Sequence, residues 1–463
     1  MADIQVVPGR ITNFTSAFTR LHPGLLLIAA VLCLGRASAQ DSLAFAAPQA
    51  PLPDSVFIAG RIVISGNLET KDFVIRREMS IAVGDRITRK ALEYDQNRIY
   101  SLGLFNQVVI RVVPMADSIA AVIVTVNERW YIFPYPIVGI VDRDWSKWYY
   151  GFGIIHNNFR GRGEKVFTNV VFGYNPFFRL TYSNPFLNEA GTDFMSLALG
   201  YSKVRNRSIE TDLNNSNFDE VHINGSLTLG KRFGLEHTAW VTLGYENVQI
   251  PDVVPPPTVS TSGTDHYVIA GLGYGYDSRD LKEFPNYGAY VRATITKDGF
   301  PGAEYDVIRY ALDVRGFQPL ARRLVVGARA FTDIAAAGEV PPYNHVYFGY
   351  GERIRGHFKE IMEGESIMGG SAEVRYSLFD PFYVNVGFLP SEFATWRFGL
   401  AVTAYYDAGT VWTRPSSVAL NEFSRGYGVG IDYLLPYSLV LRTEYAWNEA
   451  RRGEFIVDVG ASF

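Results

Sequence analysis

The chain has 463 residues, a formal charge of -4, 14% aromatic residues and 43 glycines. This Tyr-, Phe- and Gly-rich balance fits β structure, and the missing basic excess excludes nucleic acid as a partner class. A single cysteine, Cys33, excludes a disulfide framework and a Cys-rich metal site.

Arg10 and Arg20 precede an apolar run, Leu25 to Gly35, that is too short to span a bilayer, and Ala37 to Gln40 supply a small-residue cleavage pattern. Residues 1–39 therefore read as a secretory signal. The competing reading, an uncleaved anchor, needs a longer run, and bulky Leu32 before Cys33 argues against lipoprotein processing. A Pro/Ala/Gln-rich linker, residues 40–55, follows. A mature chain without a helical span enters a membrane only as a barrel.

Residues 56–128 are expected to fold as one small α+β domain in the order β-α-α-β-β. The second helix is the clearer one: Thr88 is a suitable N-cap, Leu92, Ile99 and Leu102 share a face, and Gly103 stops it. A domain of roughly 70 residues folds alone only marginally.

Residues 129–463 repeat one device, stretches with apolar side chains at every second position separated by turns or polar loops. Phe178, Leu180 and Tyr182 alternate with Arg179, Thr181 and Ser183; Val221, Ile223, Leu227 and Leu229 alternate with His222, Asn224, Ser226 and Thr228. Such a period marks half-buried strands, and about 16 segments predict a 16-stranded antiparallel transmembrane β-barrel. With the apolar set facing lipid, Arg179, Arg292, Arg309, Asp313, Arg329, Glu373, Arg375, Asp407, Asp432, Arg442 and Glu444 all point inward. The opposite register would put charges on lipid at about 2–4 kcal/mol each near the midplane. The competitor is a soluble β-sandwich with the apolar face inside. The secretion signal, the strand number and the aromatic-terminated F-I-V-D-V-G-A-S-F ending in Phe463 stand against it.

Several motifs carry a family resemblance. S-G-N (65–67), I-Y-S-L-G-L-F (99–105) and V-T-V-N-E (124–128) look like a POTRA domain, the periplasmic module of the BamA/TamA superfamily of outer-membrane proteins. H-N-N-F-R-G-R-G-E (156–164), Y-S-N-P-F-L (182–187), Y-D-S-R-D (276–280), G-S-A-E-V-R-Y (370–376) and Y-Y-D-A-G-T-V-W (405–412) resemble that family's barrel motifs, in order and over nearly the whole mature chain. The resemblance implies an outer-membrane barrel with a POTRA domain in the periplasm. It further implies client polypeptides, periplasmic accessory proteins and outer-membrane lipids as partners.

The candidate site lies in the irregular segment from Ala335 to Glu365. Ile354, Arg355, Gly356, His357 and Phe358 resemble the V-R-G-F/Y motif of a loop that folds back into the family's barrel lumen; Ile354 stands for Val, and His357 for the usual aromatic, whose packing Phe358 can supply. An arginine drawn into a lumen must be paired, because stranding a buried charge costs several kcal/mol. Asp407 is odd-numbered in a strand whose even residues Leu400, Val402, Ala404 and Tyr406 are apolar, so it points inward as a bidentate partner; Glu373 is the second candidate. Gly356 permits a tight turn beside the pair. The competing reading is a solvated loop arginine.

A second site is a seam. Pro134 and Pro136 in F-P-Y-P have no N–H, and both remove donors from the same side of the first barrel strand. The expected place for such an edge is the junction with the last strand, ending at Phe463, which gives a lateral gate for a client strand, as the resemblance also suggests. The alternative is that the prolines end the linker before pairing starts.

Catalysis is not expected. The six mature histidines are scattered, and the chain has no H-E-x-x-H, no G-x-S-x-G elbow and no phosphate loop, so no cofactor or metal site is predicted. Two function classes remain: a factor that inserts or exports client polypeptides, and a passive pore or structural barrel with an accessory domain. One POTRA-like domain, where assembly proteins of the family carry several, suggests a specialised member.

Overall fold

The computed structural model describes residues 43–45 and 57–460, apart from breaks at 141–145, 189–190, 207, 210–217, 251–255, 301–302, 417 and 419–421. The predicted signal, the cleavage pattern and Phe463 lie outside the described residues. Within the stretch read as linker, β1 (Leu43–Phe45) forms a short strand.

The N-terminal domain contains β2 (Ile58–Ser65), α1 (Asp72–Arg76), α2 (Arg89–Tyr100), β3 (Phe105–Ala116) and β4 (Ile119–Glu128). Its sheet runs β2-β4-β3, with β2 parallel and β3 antiparallel to the central strand. The Thr88 side chain accepts a hydrogen bond from the Ala91 amide at 3.2 Å, and Gly103 closes α2 with φ 72°. Leu92, Ile99 and Leu102 pack on Val74, Ile75, Val122 and Val124, each such burial contributing about 1.5–3 kcal/mol. The Glu128 carboxylate accepts the amides of Leu68, Glu69 and Thr70 at 2.8–3.1 Å, tying the last strand to the turn after Gly66.

Sixteen long strands follow: β5 (Ile132–Ile140), β6 (Trp148–Phe159), β7 (Glu164–Gly173), β8 (Phe177–Asn184), β9 (Asp193–Arg205), β10 (Asp219–Phe233), β11 (His237–Gln249), β12 (Thr264–Asp277), β13 (Gly288–Asp298), β14 (Val307–Ala321), β15 (Leu324–Ala337), then β18 (Ser366–Val386), β19 (Thr395–Trp412), β20 (Ser424–Leu435), β21 (Leu439–Asn448) and β22 (Gly453–Val459). Between β15 and β18, the short β16 (Val346–Phe348) and β17 (Met362–Gly364) pair as a hairpin inside the long connection. β1 pairs with the end of β18, at Val384 to Val386.

The sixteen strands form an antiparallel sheet in sequence order, with β22 next to β5 in the strand order. The other neighbours have a register of paired residues; none is found for β5 and β22 among the described residues. The alternation is the one that charge demands. In β10, Ile223, Leu227 and Leu229 are exposed while His222, Ser226 and Thr228 are buried. Glu373, Arg375, Asp407, Asp432, Arg442 and Glu444 are all at most 4% exposed, on the inner wall.

The contacts of the small domain report the curvature of the sheet. It touches the β6–β7 turn (Lys71 amide to Gly161 carbonyl, 2.8 Å), the β8–β9 turn (Arg77 on the Phe186 ring), the β10–β11 turn (Arg98 to the Leu235 carbonyl, 2.8 Å) and the β12–β13 turn (Lys282 amide to Ser101 Oγ, 3.4 Å). It also touches the β18–β19 turn (Asn106 to the Glu392 carbonyl, 2.6 Å) and the β20–β21 turn (Arg129 to Ser438 Oγ, 3.0 Å). One domain of this size reaches turns from β6 to β21 only because the sheet curls round into a barrel, with all these turns at one mouth.

Candidate functional site

The connection between β15 and β18 returns into the barrel from the opposite end. Its hairpin places Val346, Phe348 and Ile354 against Ile367 of β18. The inner wall makes room at Gly409, where a Cβ would lie 2.3 Å from the Phe348 ring. Ile354 is 2% exposed, so the residue before the arginine is an apolar anchor.

Arg355 is 6% exposed and fully engaged. Its Nε and Nη2 donate to the two Asp407 oxygens at 2.6 and 2.7 Å, Nη1 donates to Glu444 Oε1 at 3.0 Å, and its backbone amide donates to Asp407 at 3.1 Å. The guanidinium carbon lies 3.5 Å from the centre of the Tyr405 ring. Asp407 is thus the bidentate partner. Glu373 sits beside Arg375 instead, at 3.5 Å, because it projects one strand further round, on β18. Glu444 on β21 takes the place beside Arg355, and it in turn accepts from Arg442 at 3.3 Å.

The backbone is held as firmly. Gly356 has φ 103°, and a Cβ there would be 2.7 Å from the Trp447 carbonyl. Glu454 of β22 accepts the amides of Gly356 and Phe358 at 2.9 and 2.8 Å. On β20, Gly426 leaves space for the Arg355 carbonyl. The loop is therefore bonded to β19, β21 and β22 at once. Phe358 packs with Tyr405, Ala446 and Ile456, in the position the sequence suggested for the displaced aromatic. His357 is instead polar-bonded, its two ring nitrogens 2.7 Å from Glu360 and from Glu449 of the β21–β22 turn. Burial opposes protonation of His357, but the two carboxylates outweigh it and hold the imidazole above its ordinary value.

A second anchor lies in the same stretch. Arg329 of β15 bonds Glu352 bidentately at 2.9 and 3.0 Å and also reaches Asp313 at 2.9 Å. A cavity of about 140 Å³ remains between the loop and the wall, lined by both arginine networks. Sequence reasoning missed Glu352, Tyr405, Glu444 and Glu454. Strand parity already placed Glu444 inward, but no sequence signal says which strands the loop lies across.

The quoted motifs divide by location. Asp407 and Gly409 of Y-Y-D-A-G form the dock of the loop, and Glu373 of G-S-A-E-V-R-Y lies on the neighbouring inner wall. Three others build the seat of the N-terminal domain. Glu164 of the first motif binds Arg160 and accepts from Tyr182 of the second at 3.1 Å, while Asn158 donates to Thr70 at 2.9 Å. Phe186 of the second motif and Leu281, the residue directly after the third, enter the core of the domain itself. The seat is closed by Glu78, after α1, which accepts from Arg98 of α2 at 2.6 Å and from Arg232 of β10 at 2.5 Å. Burial pushes the Glu78 carboxyl up, but the Arg232 and Arg98 guanidinia overcome it and hold it down at about 2.

The two prolines stand inside β5, opposite Ile154 and Phe152 of β6. The Asn157 amide donates to the Tyr131 carbonyl at 2.9 Å, which makes these residues a hydrogen-bonded pair. Alternation then turns the amides of odd-numbered residues toward β6 and those of even-numbered residues away. Pro134 and Pro136 thus remove donors from the edge that faces β22. Among the described residues no cluster of His, Cys, Asp and Glu could hold a metal ion.

Comparison with known proteins follows this geometry. The Omp85 superfamily domain matches residues 158–463, and the surface antigen variable number repeat, the POTRA module, matches residues 57–129. The outer membrane protein assembly factor BamA of Nitratidesulfovibrio vulgaris is 24% identical over 422 residues, covering 85% of this chain and 49% of that protein. The chain thus spans about half the length of this relative. BamA from Haemophilus ducreyi lacking POTRA domains 1–3 superposes with a TM-score of 0.50 at 16% identity, covering 87% of this chain and 84% of that one. CdiB from Escherichia coli gives 0.51 at 12%, covering 96% and 97%. At such identities the two structures speak for the fold alone. Because the superfamily domain takes in well over half of the residues, the chain belongs to the Omp85 superfamily, as a BamA/TamA-type outer-membrane β-barrel with one POTRA domain on the periplasmic side.

Proposed function

We propose that this protein inserts or exports client polypeptides at the outer membrane. The POTRA domain takes an extended client on an open edge of its β2-β4-β3 sheet, and the barrel admits a client strand at the seam between β5 and β22. The observation that carries the reading is the direction of Pro134 and Pro136, whose missing amides lie on the β22-facing edge of a strand that β6 pairs fully on its other side. An incoming strand competes for an edge that lacks two of its own donors. The arginine-anchored loop inside the lumen speaks against the passive pore. The reading assigns no catalysis and no cofactor, and it leaves the apolar outer wall to lipid and the free face of the POTRA domain to clients or accessory proteins.

The test is a reversible lock. Cysteine pairs tying Ile137 or Val138 to β22 should stop client assembly when oxidised, and reduction should restore it. A locked protein that works as well as the open one would sink the seam mechanism. Comparing outer-membrane and secreted proteomes after depletion separates insertion from export; no change in either, with a steady large conductance in bilayers, would favour the pore.

A further inference from the structure

At the periplasmic mouth, Pro436, Tyr437 and Ser438 join β20 to β21, with Leu435 paired to Leu439. Tyr437 has φ 63° and Ser438 φ 62°. Two successive positive φ values in a hairpin turn favour Asn-Gly, because a larger side chain strains such a backbone. Among the described residues this is the one consecutive pair of non-glycine residues held so. Strain of this kind persists only where the surroundings over-determine it, and here both side chains are engaged.

The Tyr437 ring meets the Phe133 ring of β5 edge-on, with centres 6.2 Å apart, and its hydroxyl donates to the Glu392 carbonyl of the β18–β19 turn at 3.2 Å. Ser438 Oγ accepts from Arg129 Nη2 at 3.0 Å, and the same guanidinium lies 5.8 Å from the centre of the Tyr437 ring. Arg129 is equally bound to the POTRA domain: its Nε donates to the Phe105 carbonyl at 2.7 Å, and it stands 5.5 Å from the Tyr100 ring. β22, by contrast, hangs on β21, with Val459 paired to Leu441 and the Gly460 amide donating to the Val440 carbonyl at 2.7 Å. The turn before β21 thus reaches β5 past the end of β22, where no register among the described residues pairs β5 with β22.

We infer that Tyr437 and Ser438 are the clasp on the periplasmic end of the seam, positioning residues on the β21 side that hold the start of β5 and its connector where Pro134 and Pro136 deny strand pairing. The inference rests on the seam reading above and adds where the seam is held. A ring pair, a cation beside a ring and one hydrogen bond release without unzipping a ladder of backbone bonds. Letting go of Phe133 and Arg129 frees the end of β5 that a client coming from the periplasm meets first. Because Arg129 is anchored in the POTRA domain, a shift of the domain pulls on the same clasp.

The test measures the seam itself, with no client present. In the full chain in detergent, with Cys33→Ser, nitroxide labels at Ile132→Cys and Val457→Cys flank the seam from exposed positions. Pulsed electron spin resonance should give one short distance for this parent. Tyr437→Gly, which accepts the positive φ and removes only the ring, should at least double the population lying more than one strand spacing, about 4.8 Å, beyond that distance. Tyr437→Phe keeps the ring and should match the parent. Ser438→Gly, which takes the acceptor from Arg129, should widen the distribution in the same direction. A residue that only packs the turn would lower the temperature at which folded gel mobility is lost and leave the distances alone, so unchanged distances in folded Tyr437→Gly, or equal widening in Tyr437→Phe, would overturn the clasp. Should Tyr437→Gly fail to fold, Ser438→Gly and Arg129→Gln decide by the same distances. A Val138 lock that leaves client assembly intact would remove the gate but not the clasp, whereas unchanged distances would remove the clasp but not the gate.

Discussion

The barrel is fastened at its two ends by ion networks of opposite stoichiometry. In the lumen, one cation, Arg355, is divided between Asp407 and Glu444, and Glu454 holds the adjoining backbone. At the periplasmic mouth, one anion, Glu78, is divided between Arg98 and Arg232. In both, the odd charge comes from the element that must dock, a loop or a domain, and in both it is nearly dry. Removing Glu78 leaves two guanidinia facing each other in a buried place, and removing Arg355 strips Asp407 of its bidentate partner while Glu444 keeps Arg442 at 3.3 Å; either loss leaves buried charge uncompensated. The lumen anchor joins a loop to three strands, whereas the mouth latch joins a whole domain to one turn. Damage to the first should be felt by the barrel, and damage to the second by the position of the POTRA domain.

The largest expected effect is Arg355→Ala, which strands Asp407 beside Glu444 and should cost about 3–5 kcal/mol. It should lower the temperature at which the folded gel mobility is lost and impair client assembly, while the barrel still inserts. Arg355→Lys should recover part of the loss, since an ammonium cannot form the bidentate pair. An unchanged transition in Arg355→Ala would mean that the loop contributes nothing to the barrel.

Next comes Glu78→Gln, expected to cost about 2–3 kcal/mol in docking because two guanidinia lose their counter-ion. Protease sensitivity between the domain and β5 should rise while the gel transition of the barrel stays put. The acid limb has a definite sign. The Glu78 carboxyl is held at about 2, below its ordinary 4.5, so the latch is fully present above pH 4.5 and is lost as pH falls through 2. Proteolysis by an acid-active protease follows this; a latch that fails already at pH 6 contradicts it.

A double-mutant cycle sharpens the lumen network. Arg355→Ala with Asp407→Asn should show a coupling of about 1–3 kcal/mol, whereas Arg355→Ala with Glu373→Gln should add within about 0.5 kcal/mol. Equal couplings would place Glu373 in the network after all. The smallest effect is expected at His357. Its imidazole titrates above its ordinary value between Glu360 and Glu449, so its contribution is full in mild acid and fades as pH rises through that raised value. His357→Phe should remove this pH dependence of loop protection in hydrogen exchange and leave the Arg355 anchor unchanged.

The period of two determined the barrel from sequence alone, because a strand with one wall in lipid and one in a hydrated lumen cannot hide the alternation of residues such as Ile223, Ser226, Leu227 and Thr228. The cap at Thr88 and the apolar face of α2 were legible for the same local reason. Parity likewise turned Asp407, Glu373 and Glu444 inward. Parity says which wall a side chain meets and nothing about which strand a returning loop crosses, so the choice of Asp407 and Glu444 beside Arg355 was made only by the tertiary structure. The same limit hid the domain seat: Glu78, Arg98 and Arg232 are far apart in sequence and ordinary in their own elements. Even the small β16–β17 hairpin escaped, since three-residue strands leave no period to read. Pro134 and Pro136 told from sequence that one edge lacks donors; only the Asn157 to Tyr131 hydrogen bond decided that this edge faces β22, because pairing phase is a property of two strands and not of one.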